Sequence, residues 1–145
     1  MNYSELIQVY FERSTALQWY WTVYVLVIGG VLGFSTLRQR PELVTTILVA
    51  ILYGCFTYKN LGAIEATAEE REAIRSVIKD YPASGSNAAD ITRVRDKLEP
   101  QLPQYSIAGA RYFHVVCDLL TIAFLWTKEW QRRKTAEQSP APVAT

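Results

Sequence analysis

The stretch STALQWYWTVYVLVIGGVLGFSTL, residues 14–37, lies between Arg13 and Arg38 and contains no charged side chain. An α-helix rises about 1.5 Å per residue, so roughly 20 apolar residues cross the hydrocarbon core of a bilayer. This stretch is therefore long enough to span a membrane. Tryptophan and tyrosine cluster near its beginning, as they do at a membrane–water interface.

Two shorter apolar runs follow, at residues 43–58 and 112–127. The first can extend past Lys59, because a lysine side chain reaches the headgroups from within a helix. The second is interrupted by Asp118, although apolar residues continue around it from 107 to 130. The alternative for this run is a buried helix of a soluble domain. Its length lies between those typical of buried core helices and of membrane-spanning helices.

These runs predict an all-α integral membrane protein with three transmembrane helices. An N-terminal interfacial helix precedes them, and a two-helix polar segment separates the second and third crossings. The predicted divisions are an interfacial amphipathic helix at 1–17, a transmembrane hairpin at 18–64, an extramembrane helical segment at 65–105, a third transmembrane helix with a basic cytoplasmic end at 106–134, and a disordered tail at 135–145.

The polar segment between the second and third crossings contains two helical patterns, at 66–81 and 88–98. The Pro-, Gly- and Ser-rich stretch 82–87 separates them and indicates a turn. The pattern at 66–81 can equally continue the second crossing out of the membrane. In the same way, the N-terminal helix can run directly into the first crossing.

Positive charges flank the crossings on one predicted side. They are Arg38 and Arg40 in the short hairpin, and Lys128, Arg132, Arg133 and Lys134 after the third crossing. The positive-inside rule places both groups in the cytoplasm and the N-terminus outside, in a plasma or inner membrane. The long polar segment also carries many cations, but long segments count for less under this rule.

Small residues predict how the first two crossings pack. Gly29 and Gly33 form a GxxxG pattern on the first crossing, and Thr46, Ala50 and Gly54 recur every four residues on the second. Such stripes allow helix backbones to approach closely in lipid.

Asp118 is the centre of a predicted intramembrane polar cluster. His114 lies one helical turn before it, and Arg111 and Cys117 lie on or beside the same face. Three residues of the second crossing should meet the same leaflet, namely Tyr53, Tyr58 and Lys59. Ionisable groups inside a membrane are costly, so the cluster requires an explanation.

Three interpretations of this cluster compete. It can lock the helices together, or form a proton or ion path or a small-ligand pocket, since a histidine beside a carboxylate can change protonation near neutral pH. A metal or catalytic centre would need His114, Cys117, Asp118 and Cys55 on two helices. Zinc usually takes four such ligands in a recognisable spacing, so we predict no metal site. The patterns do not identify a cofactor or catalytic residues, and both stay unknown from the sequence.

The functional prediction is association within a membrane. Three short crossings bury little surface, and an intramembrane acid favours a partner helix. We therefore expect the chain to be a homo-oligomer or a subunit of a membrane complex. Such an assembly could form a pore or conduit. The alternative is a membrane-embedded enzyme or small-ligand-binding protein that uses His114 and Asp118. A third interpretation is a sensor whose loop helices receive a signal. The predicted partners are the lipid bilayer and membrane subunits, and the net charge of +1 argues against nucleic acid.

Overall fold

The computed structural model describes residues 2–82, 88–98, 100, 102 and 104–138. These residues form four α-helices and no strand: α1 (Tyr3–Leu37), α2 (Leu43–Lys79), α3 (Ala88–Leu98) and α4 (Ile107–Gln138). Three of them, α1, α2 and α4, are long and apolar enough to cross a membrane. The prediction of an all-helical chain with three long apolar helices is therefore confirmed.

The beginnings of two helices follow local sequence signals. The amide of Glu5 donates a 2.9 Å hydrogen bond to the side chain of Asn2, and the amide of Asn2 donates one of 2.8 Å to Glu5. This reciprocal pair is a capping box, with asparagine in place of serine or threonine. The hydroxyl of Ser106 accepts a 3.1 Å hydrogen bond from the amide of Gly109 at the start of α4.

Two predicted divisions fall inside continuous helices. The division between residues 17 and 18 lies within α1, and the division between 64 and 65 lies within α2. Neither helix contains a proline, so nothing in the sequence interrupts its backbone hydrogen bonds. The bounds of α3 coincide with the predicted helix at 88–98.

The structure describes only part of the predicted turn and of the predicted tail. Residues 83–87 of the predicted turn lie outside the described residues, as do residues 139–145. Residues 135–138 belong to α4, so the predicted disordered tail cannot begin at 135.

The chain divides into two compact units. Unit 1 comprises Met1–Trp21 and Gly62–Ala110, and unit 2 comprises Thr22–Leu61 and Arg111–Thr145. The N-terminal part of α1 and the C-terminal part of α2 thus belong to one unit. In the predicted divisions these two parts belong to separate segments, 1–17 and 65–105.

Unit 1 has an apolar core built on these two helix ends. Leu6 and Tyr10 of α1 are buried with Ile78 of α2, and Leu17 is buried with Ile64. The apolar face of the N-terminal part of α1 is therefore covered by α2. The helical period places both sets of residues on single faces, which allows them to pack on each other.

Unit 2 has the opposite distribution of polarity. Its buried side chains are mainly polar or tyrosine: Tyr24, Ser35, Thr46, Tyr53, Thr57, Asn60, His114, Thr121, Leu125 and Glu129. Its surface carries most of the exposed large apolar side chains, including Leu26, Val44, Ile51, Leu52, Leu119 and Leu120. Water would favour the reverse arrangement, whereas hydrocarbon favours buried polar groups and an apolar exterior.

Candidate functional site

Asp118 lies in the interior of unit 2, where it joins three helices. Its Oδ1 atom accepts hydrogen bonds from the hydroxyl of Tyr24 on α1, at 3.0 Å, and of Tyr53 on α2, at 2.7 Å. The Tyr24 hydroxyl also lies 3.0 Å from the carbonyl oxygen of His114. Only 18% of the Asp118 side chain is exposed. The carboxylate thus has partners within its own chain.

His114 occupies the position one turn before Asp118 on α4, and its side chain is fully buried. Its Nδ1 atom lies 2.9 Å from Oδ2 of Asp118, and its Nε2 atom lies 3.5 Å from the side-chain nitrogen of Asn60. If Nδ1 donates to the carboxylate, Nε2 can accept from the amide. The Tyr24 ring stacks on the imidazole at a centroid distance of 3.9 Å.

The structure brings together only part of the cluster predicted from the sequence. His114, Asp118 and Tyr53 meet, and Cys117 is partly buried beside them. Tyr58 is 76% exposed, and the Lys59 ammonium lies 5.9 Å from its ring centroid. Arg111 is exposed as well. These last three residues are on the surface because their positions on α2 and α4 are rotated away from the interior.

Two members of the site were absent from the predicted set. Tyr24 and Asn60 approach His114 from α1 and α2 respectively. Asn60 is a polar residue at the end of an apolar run, which was a signal in the sequence. Tyr24 resembled the other aromatic residues at the start of the first crossing, and nothing local distinguished it.

The small-residue stripes do not mediate close packing within the chain. A β-carbon added at Gly29, Gly33 or Gly54 would meet no neighbouring atom of the described residues within 4 Å. The expected close approach of α1 and α2 at these glycines is therefore not present. Ala50 is only partly buried, and Thr46 is buried for a different reason, its contact with an acid on α4.

That acid is Glu129, which is not among the site residues predicted from the sequence. Its side chain is 2% exposed and accepts a 3.0 Å hydrogen bond from the hydroxyl of Thr46. Three guanidinium groups surround it, those of Arg38, of Arg132 at 3.3 Å and of Arg133 at 3.2 Å. Arg132 and Arg133 follow Glu129 by three and four residues, a spacing that allows ion pairs along one helix face. This spacing was the signal in the sequence.

Both polar clusters can hold helices in register, and the first can also hold a proton between an imidazole and a carboxylate. Among the described residues, no group of three or more His, Cys, Asp or Glu side chains is arranged to hold a metal ion. Cys55, which a metal centre would have required, is exposed. The His114 cluster brings an imidazole, a carboxylate and two tyrosine hydroxyls within hydrogen-bonding distance.

The fold and these clusters define a helical protein with three long apolar helices and a polar-inside, apolar-outside unit. Comparison with known proteins adds no narrower class, since no family model, curated protein or solved structure matches the chain.

Proposed function

We propose that this chain is an integral membrane protein that acts by association, as a homo-oligomer or a subunit of a membrane complex. α1, α2 and α4 would cross the bilayer, with the N-terminus outside and the C-terminus in the cytoplasm of a plasma or inner membrane. The observation that supports membrane insertion best is the inverted polarity of unit 2. Its exposed apolar side chains would find lipid, and its polar side chains find one another.

Support for association comes from the uncovered glycine face of α1. Gly29 is exposed and Gly33 partly so, and neither has a neighbouring side chain against it. Such a face allows a second helix to approach closely in lipid. Asp118 does not contribute to this support, because it is paired within its own chain. We therefore favour side-by-side packing over a conduit lined by Asp118.

Insertion and orientation can be tested by cysteine accessibility. In a Cys55→Ala/Cys117→Ala background, single cysteines would replace the exposed residues Ser4, Gln39 and Thr135. An impermeant maleimide applied to intact cells should label Ser4→Cys alone, and permeabilised cells should label all three. Labelling of all three in intact cells, or release of the protein from membranes by alkaline carbonate, would contradict the topology.

Association can be tested by single-molecule photobleaching of the labelled protein in vesicles at low density. The Gly29→Leu/Gly33→Leu variant should shift the distribution towards single bleaching steps, because two leucines would hold a partner helix away. Gly54→Leu is the control, since it adds one such side chain to an open position on α2, and it is compared with Gly29→Leu alone as well as with the double variant. A monomeric wild-type protein that copurifies with no partner would refute association.

A second candidate is a membrane-embedded enzyme or small-ligand-binding protein, favoured by the buried His114–Asp118 pair with its two tyrosine hydroxyls. A ligand of this site should raise the melting temperature of the wild type but not of His114→Gln or Asp118→Asn. Tyr58→Phe, which alters an exposed tyrosine, should respond like the wild type. If both site variants fail to fold, the pair has a structural role.

A further inference from the structure

The cations around Glu129 exceed the negative charge that they neutralise. Arg38, Arg132 and Arg133 share one buried carboxylate. The Nε atom of Arg38 is buried and has no hydrogen-bond acceptor among the described residues. Glu129 alone therefore does not balance the positive charge of these three arginines.

An open groove of about 510 Å³ lies beside this cluster. The hairpin between α1 and α2 forms one wall, and the C-terminal part of α4 forms the other. Four of the lining side chains are cationic: Arg38, Arg40, Lys128 and Arg132. No acidic side chain is among the described residues that line it. The groove thus offers a concave, positively charged surface to an anion.

Glu129 and Ser35 hold two of these cations in place. Arg132 donates one hydrogen bond to the carbonyl oxygen of Ser35 and another to Glu129. Arg38 donates to Thr46, at 2.7 Å, and to Glu129. Guanidinium groups that are already oriented lose less conformational entropy when they bind an anion.

The surroundings of the groove favour a lipid over a soluble anion. Trp126 and Trp130 do not line the groove, but they are exposed on α4 two residues before and after Lys128, and tryptophan prefers the headgroup level of a bilayer. Leu37 and Val44, on either side of the hairpin, are 82% and 79% exposed. An acyl chain could cover these side chains, which a soluble phosphate could not.

We propose that this groove binds the phosphate of an anionic phospholipid headgroup. The proposal rests on the membrane insertion proposed above, which brings the groove to the depth of the headgroups. Arg40 and Lys128 would contact the phosphate directly, and Arg38 and Arg132 would supply oriented positive charge. Basic pockets at the ends of transmembrane helices recognise anionic headgroups by this chemistry.

Native mass spectrometry of the full chain in a non-ionic detergent, with equal amounts of phosphatidylglycerol and phosphatidylcholine, tests the proposal. The wild type should retain phosphatidylglycerol preferentially. Arg40→Gln/Lys128→Gln should reduce this preference about tenfold, because each cation near the headgroups contributes a severalfold gain. Neither residue contacts Glu129, so the cluster beneath should persist. If the double variant is not recovered, Arg40→Gln alone should show a smaller reduction.

The matched control is Lys59→Gln/Arg111→Gln, which removes the same charge elsewhere in unit 2 and should keep the wild-type preference. An equal loss in this control would mean attraction by net charge alone and would overturn the proposal. Displacement of phosphatidylglycerol by inorganic phosphate would overturn it in favour of a soluble-anion site. Carbonate extraction separates the two proposals: release of the protein refutes insertion, whereas a retained protein without lipid preference refutes only the groove.

Discussion

The hydroxyl of Tyr53 on α2 donates a 2.7 Å hydrogen bond to the Oδ1 atom of Asp118 on α4. Tyr24 on α1 donates to the same oxygen, so one carboxylate connects the three helices of unit 2. In an apolar setting neither hydroxyl has water as an alternative partner. The carboxylate should therefore determine the register of the helices, and its removal should affect all three.

Asp118→Leu should lower the free energy of unfolding by about 2 kcal/mol, because it removes the carboxylate that accepts from Tyr53 and faces His114, and leaves Tyr24 the carbonyl oxygen of His114 as acceptor. Asp118→Asn keeps one acceptor oxygen and should cost less. Unfolding in mixed detergent–SDS micelles measures both. Leu119→Ala, at an exposed neighbouring position, is the control and should cost under about 1 kcal/mol. Equal losses at 118 and 119 would show that the hydrogen bonds contribute nothing.

Tyr53→Phe and Tyr24→Phe should each cost about 1 kcal/mol, the net value of one buried hydrogen bond. Tyr58→Phe removes the same hydroxyl from an exposed ring and should be neutral. The same unfolding measurement applies. In a double-mutant cycle, either inner variant combined with Asp118→Leu should cost less than the sum of the two. Full additivity would indicate that the hydroxyls do not act through Asp118.

Glu129→Ala should destabilise the protein by about 3 kcal/mol, because it leaves two largely buried guanidinium groups unpaired. Arg133→Gln should cost under about 1 kcal/mol, since the Arg133 side chain is 42% exposed. Thermal unfolding in one detergent compares the two. Replacing Arg38 with methionine in the Glu129→Ala background should recover part of the loss. No recovery would argue against unpaired charge as its cause.

Tyr10→Phe should weaken unit 1 by about 1.5 kcal/mol. The Arg71 guanidinium donates a 2.6 Å hydrogen bond to the Tyr10 hydroxyl in a buried position, and bonds from charged donors are the stronger ones. Amide hydrogen exchange should accelerate in residues 3–21. Arg13→Gln, which breaks an exposed ion pair to Glu70, should leave these rates almost unchanged. Similar acceleration in both variants would count against the buried bond.

Individual helices were the most predictable part of the fold. The bounds of α3 follow from local signals, and His114 and Asp118 could be paired because residues four apart share a helix face. Which parts of the long helices belong to each of the two units was less predictable. The N-terminal end of α1 could have met lipid or protein, and its apolar period is the same in either case.

The sequence by itself determined three long apolar helices and the position of an acid within the third, because helix rise and hydropathy are properties of one segment. Only the tertiary structure decided which side chains meet that acid, and that Glu129 is buried among arginines while the glycines of α1 stay uncovered. These outcomes depend on how each helix rotates and slides against its neighbours. That choice balances packing and hydrogen bonds between segments, which no single segment encodes.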